Sequence, residues 1–411
     1  MSFVVKKSDL LIYMCVFSMI LRDFIRVLLG HYEYSSSGVV FVRHTGYIMT
    51  ALLLLSVFSL FLFCLTSYRE NRLPTRLKLS IFFLGIISAF WTVHSLFSVE
   101  GYSIFTFDGT AKTILICSLG IIIGYDDYYW NVIKKMIPVM TWLYIPLSAV
   151  YVIYARFSSI SGRMINEQPY WMLYSTAIWL LAYYLLCYES ENKSSMRSKI
   201  TLMLINLVIV AFTISRGWLI QTAFLYFVFL IPNKNLSRSR KIVLTVMLAS
   251  LAGIGLYAIK DEFFAALADY MFKFTTSSSR TSQFDTFFSQ VSLQDLIFGL
   301  GEYASYSYKG NSNYIYIDNS FIYYAFHFGA FFALIMFFLP IREGLVALKK
   351  RRVHTDGNIG YILLMWIAAL CGASVFCAGY EISFRLLFIM ILIGRCAWLS
   401  LLDFSEVGNG D

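Results

Sequence analysis

The stretch FTISRGWLIQTAFLYFVF, residues 212–229, sets two apolar runs back to back with a single arginine, Arg216, between them. There is almost no polar sequence at this junction to serve as a solvated loop. The chain therefore turns in or near hydrocarbon. An arginine in that setting is costly enough that it is usually paired or functional, so this short segment bears on both fold and activity.

Working outward, the composition agrees with that reading. Of the 411 residues, 59% are hydrophobic and 14% charged, with a mean hydropathy of +0.68. A soluble globular domain carries about 25% charged residues. The sequence predicts an all-α polytopic membrane protein, a single integral-membrane domain over 1–411. About twelve spans can be read, near 9–29, 45–67, 79–99, 107–125, 136–156, 169–188, 200–215, 217–232, 242–259, 317–340, 358–378 and 382–402. Several approach the minimum of about 17 residues for crossing a bilayer. The first begins after Lys6 and Lys7 like a signal peptide, but Arg22, Asp23 and Arg26 stand where a small-residue cleavage site belongs. It reads as a retained helix in which Asp23 and Arg26 can pair across one turn.

Short loops rich in Lys and Arg stay in the cytoplasm. That rule puts both termini inside, together with clusters such as Arg238, Arg240 and Lys241, or Lys349 to Arg352. The excess of 33 basic over 24 acidic residues is then mainly a topology signal. It forms no stripe along one element, so nucleic-acid binding is not indicated. All seven cysteines fall inside apolar runs and the five histidines are scattered, which gives no disulfide framework and no metal-ligand spacing.

One segment breaks the alternation of span and short loop. Residues 260–316, between the ninth and tenth spans, are expected outside, and loops longer than about 15 residues are usually functional. The first part, KDEFFAALADYMFKF (260–274), has apolar residues at helical spacing and reads as an amphipathic surface helix. The remainder is polar, aromatic and punctuated by glycine.

Here four pieces occur in order: TISRG (213–217), SSRTSQF (278–284), FGLGEY (298–303), and IDNSFIYYAFHFGAFFAL (317–334). This order resembles the bacterial O-antigen polymerases and their relatives, the O-antigen ligases, over about residues 200–340. Ligases typically carry a histidine where this chain has Asp318, which shifts weight to the polymerase. The resemblance implies a glycosyltransferase of the bacterial inner membrane. It would join oligosaccharide repeats carried on undecaprenyl pyrophosphate, as donor and acceptor, on the periplasmic face. It implies no cofactor or metal, and a possible chain-length regulator as protein partner. A ligase is the alternative, and a lipid-linked oligosaccharide flippase a weaker one, since a path of polar residues through the midplane is not evident.

A diphosphate leaving group calls for fixed cations, and arginine meets phosphate oxygens bidentately. Arg216, Arg280 and Arg385 are the candidates for binding it, with Ser215, Gly217, Gly299, Gly301 and Asn319 in support. Arg216 can also be explained by snorkelling to headgroups, and Arg385 by a helical pair with Glu381. Asp318 is the first choice for the base that takes the acceptor proton, although an Asp there also suits a helix N-cap. Glu302, Asp285 and Asp295 remain alternatives. Tyr303, Tyr306 and Tyr308, with Tyr314 and Tyr316 nearby, are candidates for stacking on sugar rings, a role that competes with the interface belt in which tyrosine is common. Gly299 and Gly301 fit a tight turn or a close backbone approach.

Overall fold

The protein is described by a computed structural model that covers residues 6–35, 38–42, 44–67, 73–98, 109–157, 169–188, 193–213, 216–230, 279–372 and 382–402. It is mostly helical, as its apolar runs predict. Among the described residues, five helices are long and apolar enough to cross a membrane: Tyr47–Ser67, Thr75–Ser98, Asp127–Ala155, Met196–Thr213 and Ala330–Lys350. Shorter apolar helices accompany them, an arrangement consistent with a multi-pass membrane protein. The expected span at 242–259 and the amphipathic segment 260–274 lie outside the described residues.

In chain order the helices are α1 (Lys7–Leu28), α2 (Tyr47–Ser67), α3 (Thr75–Ser98), α4 (Thr110–Ser118), α5 (Gly120–Tyr125), α6 (Asp127–Phe157), α7 (Pro169–Leu186), α8 (Lys193–Thr213) and α9 (Arg216–Leu230). There follow α10 (Ser279–Gln290), α11 (Leu293–Phe298), α12 (Ser320–Phe328), α13 (Ala330–Lys350), α14 (Ile359–Cys371) and α15 (Phe384–Leu399). Two antiparallel hairpins interrupt them, β1 (His31–Ser35) with β2 (Gly38–Val42), and β3 (Tyr306–Tyr308) with β4 (Asn311–Tyr314).

Within the expected span 107–125, α4 and α5 follow one another through Leu119, whose backbone keeps helical angles, so that Thr110–Tyr125 is one apolar helical stretch. The expected span at 317–340 is corrected: Gly329 adopts φ 92° and ends α12 before α13 begins. That conformation is open to glycine and strained for other residues, and it turns the backbone out of the helical path. The apolar run continues through the break, so hydropathy alone does not reveal it.

The chain divides into two compact units. The one formed by Leu21–Ala51 and Lys134–Thr276 contains α7, α8 and α9, held around a buried Asn206. Its carbonyl accepts from the Tyr174 hydroxyl at 2.6 Å, and its amide donates to Thr222 at 3.2 Å and Tyr226 at 2.9 Å. Both donors and one acceptor of the side chain are thus used, and such bonds join helices where water is scarce. In the same unit the Tyr144 hydroxyl donates to Asp23 at 2.9 Å.

The other unit comprises Met1–Ile20, Leu52–Ile133 and Ser277–Asp411. Its closest helix pair is α5 with α15. A Cβ on Gly124 would run into the Ile391 carbonyl, and one on Gly394 into that of Ile121. Only small residues allow backbones to approach this closely. Near one end of α15, Arg395 donates to the buried Asp356 and to Asp127, both at 2.7 Å, and Trp130 donates to Asp356 at 3.0 Å. The Arg395 guanidinium also lies 3.8 Å from the Trp398 ring centre. A second ionic group joins Arg76 to the buried Glu343 through bonds of 3.0 and 3.2 Å. Arg385 stands ten residues before Arg395, about 15 Å along the helix.

Candidate functional site

The segment from α10 to α12 is ordered by local chemistry that its sequence carries. Ser292 and Asp295 form a reciprocal capping box at the start of α11, satisfying two otherwise orphaned N–H groups. Asp295 is held below the usual carboxylate range by the Ser292 hydroxyl and then by the Ser292 backbone. This gives Asp295 a structural role. The β3–β4 turn puts Lys309 at φ 50° and Gly310 at φ 79°, the left-handed pair that a two-residue hairpin favours.

Helix α10 clasps the segment with two glutamines. Gln290 exchanges bonds of 2.9 Å with the backbone of Ser307, and the buried Gln283 donates to the Tyr316 carbonyl at 3.0 Å. The Asp318 N–H donates to Gln283 at 3.3 Å. The cap of α12 is Asn319, whose carbonyl accepts from the Ile322 N–H at 3.1 Å while its amide donates to Cys371 at 3.1 Å. The capping role open to Asp318 therefore falls to its neighbour. Burial pushes the Tyr306 and Tyr314 phenols upward, and the Asp318 charge adds to that push.

The tyrosines separate by burial. Tyr306 and Tyr308 are 4% and 9% exposed. The Tyr306 ring packs against Phe287 at 5.1 Å and Tyr314 at 5.6 Å, and Tyr308 against Tyr314 at 5.2 Å. Tyr306 and Tyr308 thus belong to an aromatic cluster with Phe287 and Tyr314. Tyr303 is 42% exposed.

The FGLGE stretch docks on the end of α12. Leu300 and Gly301 donate to the carbonyls of Phe326 and His327 at 2.8 and 2.9 Å, filling acceptors that a helix C-terminus leaves open. Gly299 and Gly301 have φ of 80° and 108°, and a Cβ on Gly299 would lie 2.6 Å from the Gly329 nitrogen. Close approach thus requires Gly299. His327 is buried with Nδ1 2.8 Å from the Gly301 carbonyl and Nε2 3.2 Å from that of Ile315. A neutral ring can donate only one of these bonds.

This docking carries Glu302 into the interior, against the first turn of α4. Its Oε1 accepts from the Ala111 N–H at 3.4 Å, and its Oε2 is buried with no hydrogen-bond partner. The side chain is 5% exposed, and Lys112 beside it 9%. Burial raises the Glu302 carboxyl above its ordinary value, while the Lys112 charge and the N–H groups of Ala111 and Thr110 pull it back. The Thr110 hydroxyl lies 3.4 Å from that of Tyr323, whose ring is 4.1 Å from the His327 ring. Arg385, in the first turn of α15, is buried where its charge reaches the Tyr324 hydroxyl and Cys117 of α4. Compared with known proteins, the sequence matches no family model, and no curated protein is significantly similar to it.

The remaining candidates fall elsewhere. Arg216 opens α9 and Arg280 lies in the first turn of α10, while their side chains, Ser215 and Glu381 are outside the described residues. A Cβ on Gly217 would meet open space, so packing does not demand glycine there. Asp285 is exposed on α10. Lys112 is the residue that sequence reasoning missed. It sits inside an apolar run, where the rule that singles out Arg216 applies to it equally.

Proposed function

We propose that the chain is a membrane glycosyltransferase that extends a surface polysaccharide, as the O-antigen polymerases do, by joining oligosaccharides carried on undecaprenyl pyrophosphate. The observation that carries this reading is the buried Glu302–Lys112 pair, with Glu302 in the FGLGE stretch that also bears the family resemblance. The reaction needs a proton acceptor beside a cation that receives a departing diphosphate, and these two side chains supply both. In the proposed step the acceptor hydroxyl gives its proton to Glu302 while its oxygen bonds to the anomeric carbon of the donor. The bond from that carbon to the diphosphate oxygen breaks, and the electron pair leaves on the diphosphate.

A carboxyl raised by burial is a stronger base than an exposed one and nearer the working pH. Fixed cations in a partly dehydrated site stabilise the developing charge without reorganisation. Asp318 acts in this reading on the electrostatics of the tyrosine cluster, and Tyr303 offers a sugar-binding face. Arg216 and Arg280 remain proposed diphosphate contacts on the strength of the resemblance.

The test is the lipopolysaccharide banding of a strain lacking the protein, in a ligation-competent background. A polymerase defect leaves core carrying a single repeat and removes the ladder. Unsubstituted core alone would overturn the polymerase in favour of a ligase, or of a flippase if the repeats are trapped on the cytoplasmic face.

A further inference from the structure

The first turn of α4 has the makings of an anion seat that the protein fills from within. A nine-residue helix ends there in N–H groups that lack intrahelical acceptors, and such ends favour phosphates and carboxylates. Its N-cap residue is Gly109, at φ 130° and ψ 135°, so no side-chain cap bond forms. A Cβ on Gly109 would meet Cδ of Glu302 at 2.8 Å and Oε2 at 2.9 Å. The carboxylate therefore occupies the space that the missing Cβ opens.

Glu302 fills the seat poorly. The bond that Oε1 accepts from the Ala111 N–H spans 3.4 Å, beyond the usual range for N–H···O, and Oε2 is aimed into the seat without a hydrogen-bond partner. A planar carboxylate with one charge under-uses a helix end and a buried ammonium together. A diphosphate, with more oxygens and more charge, uses them better.

We propose that the first turn of α4, with Thr110, Ala111 and Lys112, seats the diphosphate of the lipid-linked donor, and that the Glu302 carboxylate is a built-in stand-in displaced when the donor arrives. This rests on the glycosyltransferase reading above and adds the location of the leaving group and the order of events. Displacement needs only rotation of the Glu302 side chain, because the preceding backbone is pinned by Leu300 and Gly301 to the end of α12. Once released, the carboxylate is beside the diphosphate it has yielded to, where the proton acceptor is required. The free protein thereby keeps its base neutralised by Lys112 until donor is bound.

The experiment measures binding of inorganic pyrophosphate and of farnesyl pyrophosphate to the full chain in detergent micelles by titration calorimetry. Glu302→Gln removes the competing charge and is expected to tighten both ligands by about tenfold or more, the low end of what a desolvated charge contact is worth. The charge-neutral double variant Glu302→Gln with Lys112→Met keeps the site free of an unpaired buried charge and is expected to lose that gain. If Glu302→Gln fails to fold, wild type against the double variant decides, with weaker binding expected in the latter. Equal affinities across the variants that fold would overturn the seat. Binding only of the farnesyl compound, insensitive to both substitutions, would assign the affinity to the lipid tail and overturn it as well. A lost polysaccharide ladder in the deletion strain with unchanged pyrophosphate binding in the variants sinks the seat alone. Charge-dependent binding with an intact ladder sinks the polymerase reading instead.

Discussion

The Glu302 carboxylate stands where a Cβ of Gly109 would be, with its Cδ 2.8 Å from that position. Two residues far apart in sequence are thus fitted so that the absence of a side chain on one makes room for the charge of the other. Gly109→Ala is expected to disturb both. The backbone there, at φ 130° and ψ 135°, belongs to a region essentially reserved for glycine, at a cost of about 1–3 kcal/mol for another residue, and the methyl would evict Glu302. A lowered melting temperature in detergent, with loss of the proposed polymerising activity, is the expected result. Unchanged stability would mean that Glu302 has another place to go.

The raised carboxyl of Glu302 makes a pH prediction whose direction is fixed. Its folded value lies above the ordinary 4.5, chiefly because of burial. The folded state therefore holds the proton more tightly than the unfolded one, and the resulting stability is complete below pH 4.5 and lost as pH rises through the raised value. Glu302→Gln cannot titrate. The melting temperature of wild type relative to this variant should fall between pH 4.5 and 8, and a constant difference would show that the group is not desolvated in solution.

How much of this was legible in the chain depends on distance along it. The apolar runs announce helices because one helix satisfies its own backbone in hydrocarbon. The Ser292–Asp295 capping box and the Lys309–Gly310 turn are equally local, and their patterns were present to be read. The break at Gly329 was hidden because hydropathy does not change across it. Glu302 and Lys112 lie 190 positions apart, and no periodicity connects them. Glu302 stood among the possible bases, but what distinguishes it, burial against α4, is a tertiary fact. That Tyr306 and Tyr308 are buried and Tyr303 exposed is likewise a tertiary fact, since composition cannot separate an aromatic core from an aromatic surface.

The ionic cluster around Arg395 predicts stability rather than chemistry. This buried guanidinium satisfies Asp356, which is buried, and Asp127, which is 52% exposed. Arg395→Ala would leave Asp356 as an uncompensated buried charge, a loss of about 3–5 kcal/mol. The expected outcome is low abundance in membranes, relieved in part by adding Asp356→Asn. The Asp127→Asn variant, whose carboxylate has access to water, should be nearly normal by the same assay.

Sidedness can be tested at exposed positions on two described segments. Asn313 lies on β4, and Val353 follows the basic cluster after α13. The positive-inside rule predicts that Asn313→Cys reacts with an impermeant thiol reagent in cells with a permeabilised outer membrane, above the background of the unsubstituted protein. Val353→Cys should react only after the inner membrane is opened. Reversed labelling would put the Glu302 side of the protein in the cytoplasm, away from the proposed substrate.

The choice of base comes down to Glu302 and Asp318. Asp318 has the stronger claim from the sequence, because it opens an expected span beside Asn319 and Ser320. Glu302 has the stronger physical claim, since it is buried beside a cation and has an oxygen with no hydrogen-bond partner. Each Asp→Asn or Glu→Gln change removes basicity while preserving shape, and the cap of α12 survives at position 318 because Asn319 provides it. Loss of a general base costs about 10²–10⁴-fold in rate. With normal protein abundance in both strains, Glu302→Gln is expected to abolish the polysaccharide ladder and Asp318→Asn to shorten it at most. The opposite pattern would return the base to Asp318 and leave Glu302 the role of a counter-ion for Lys112.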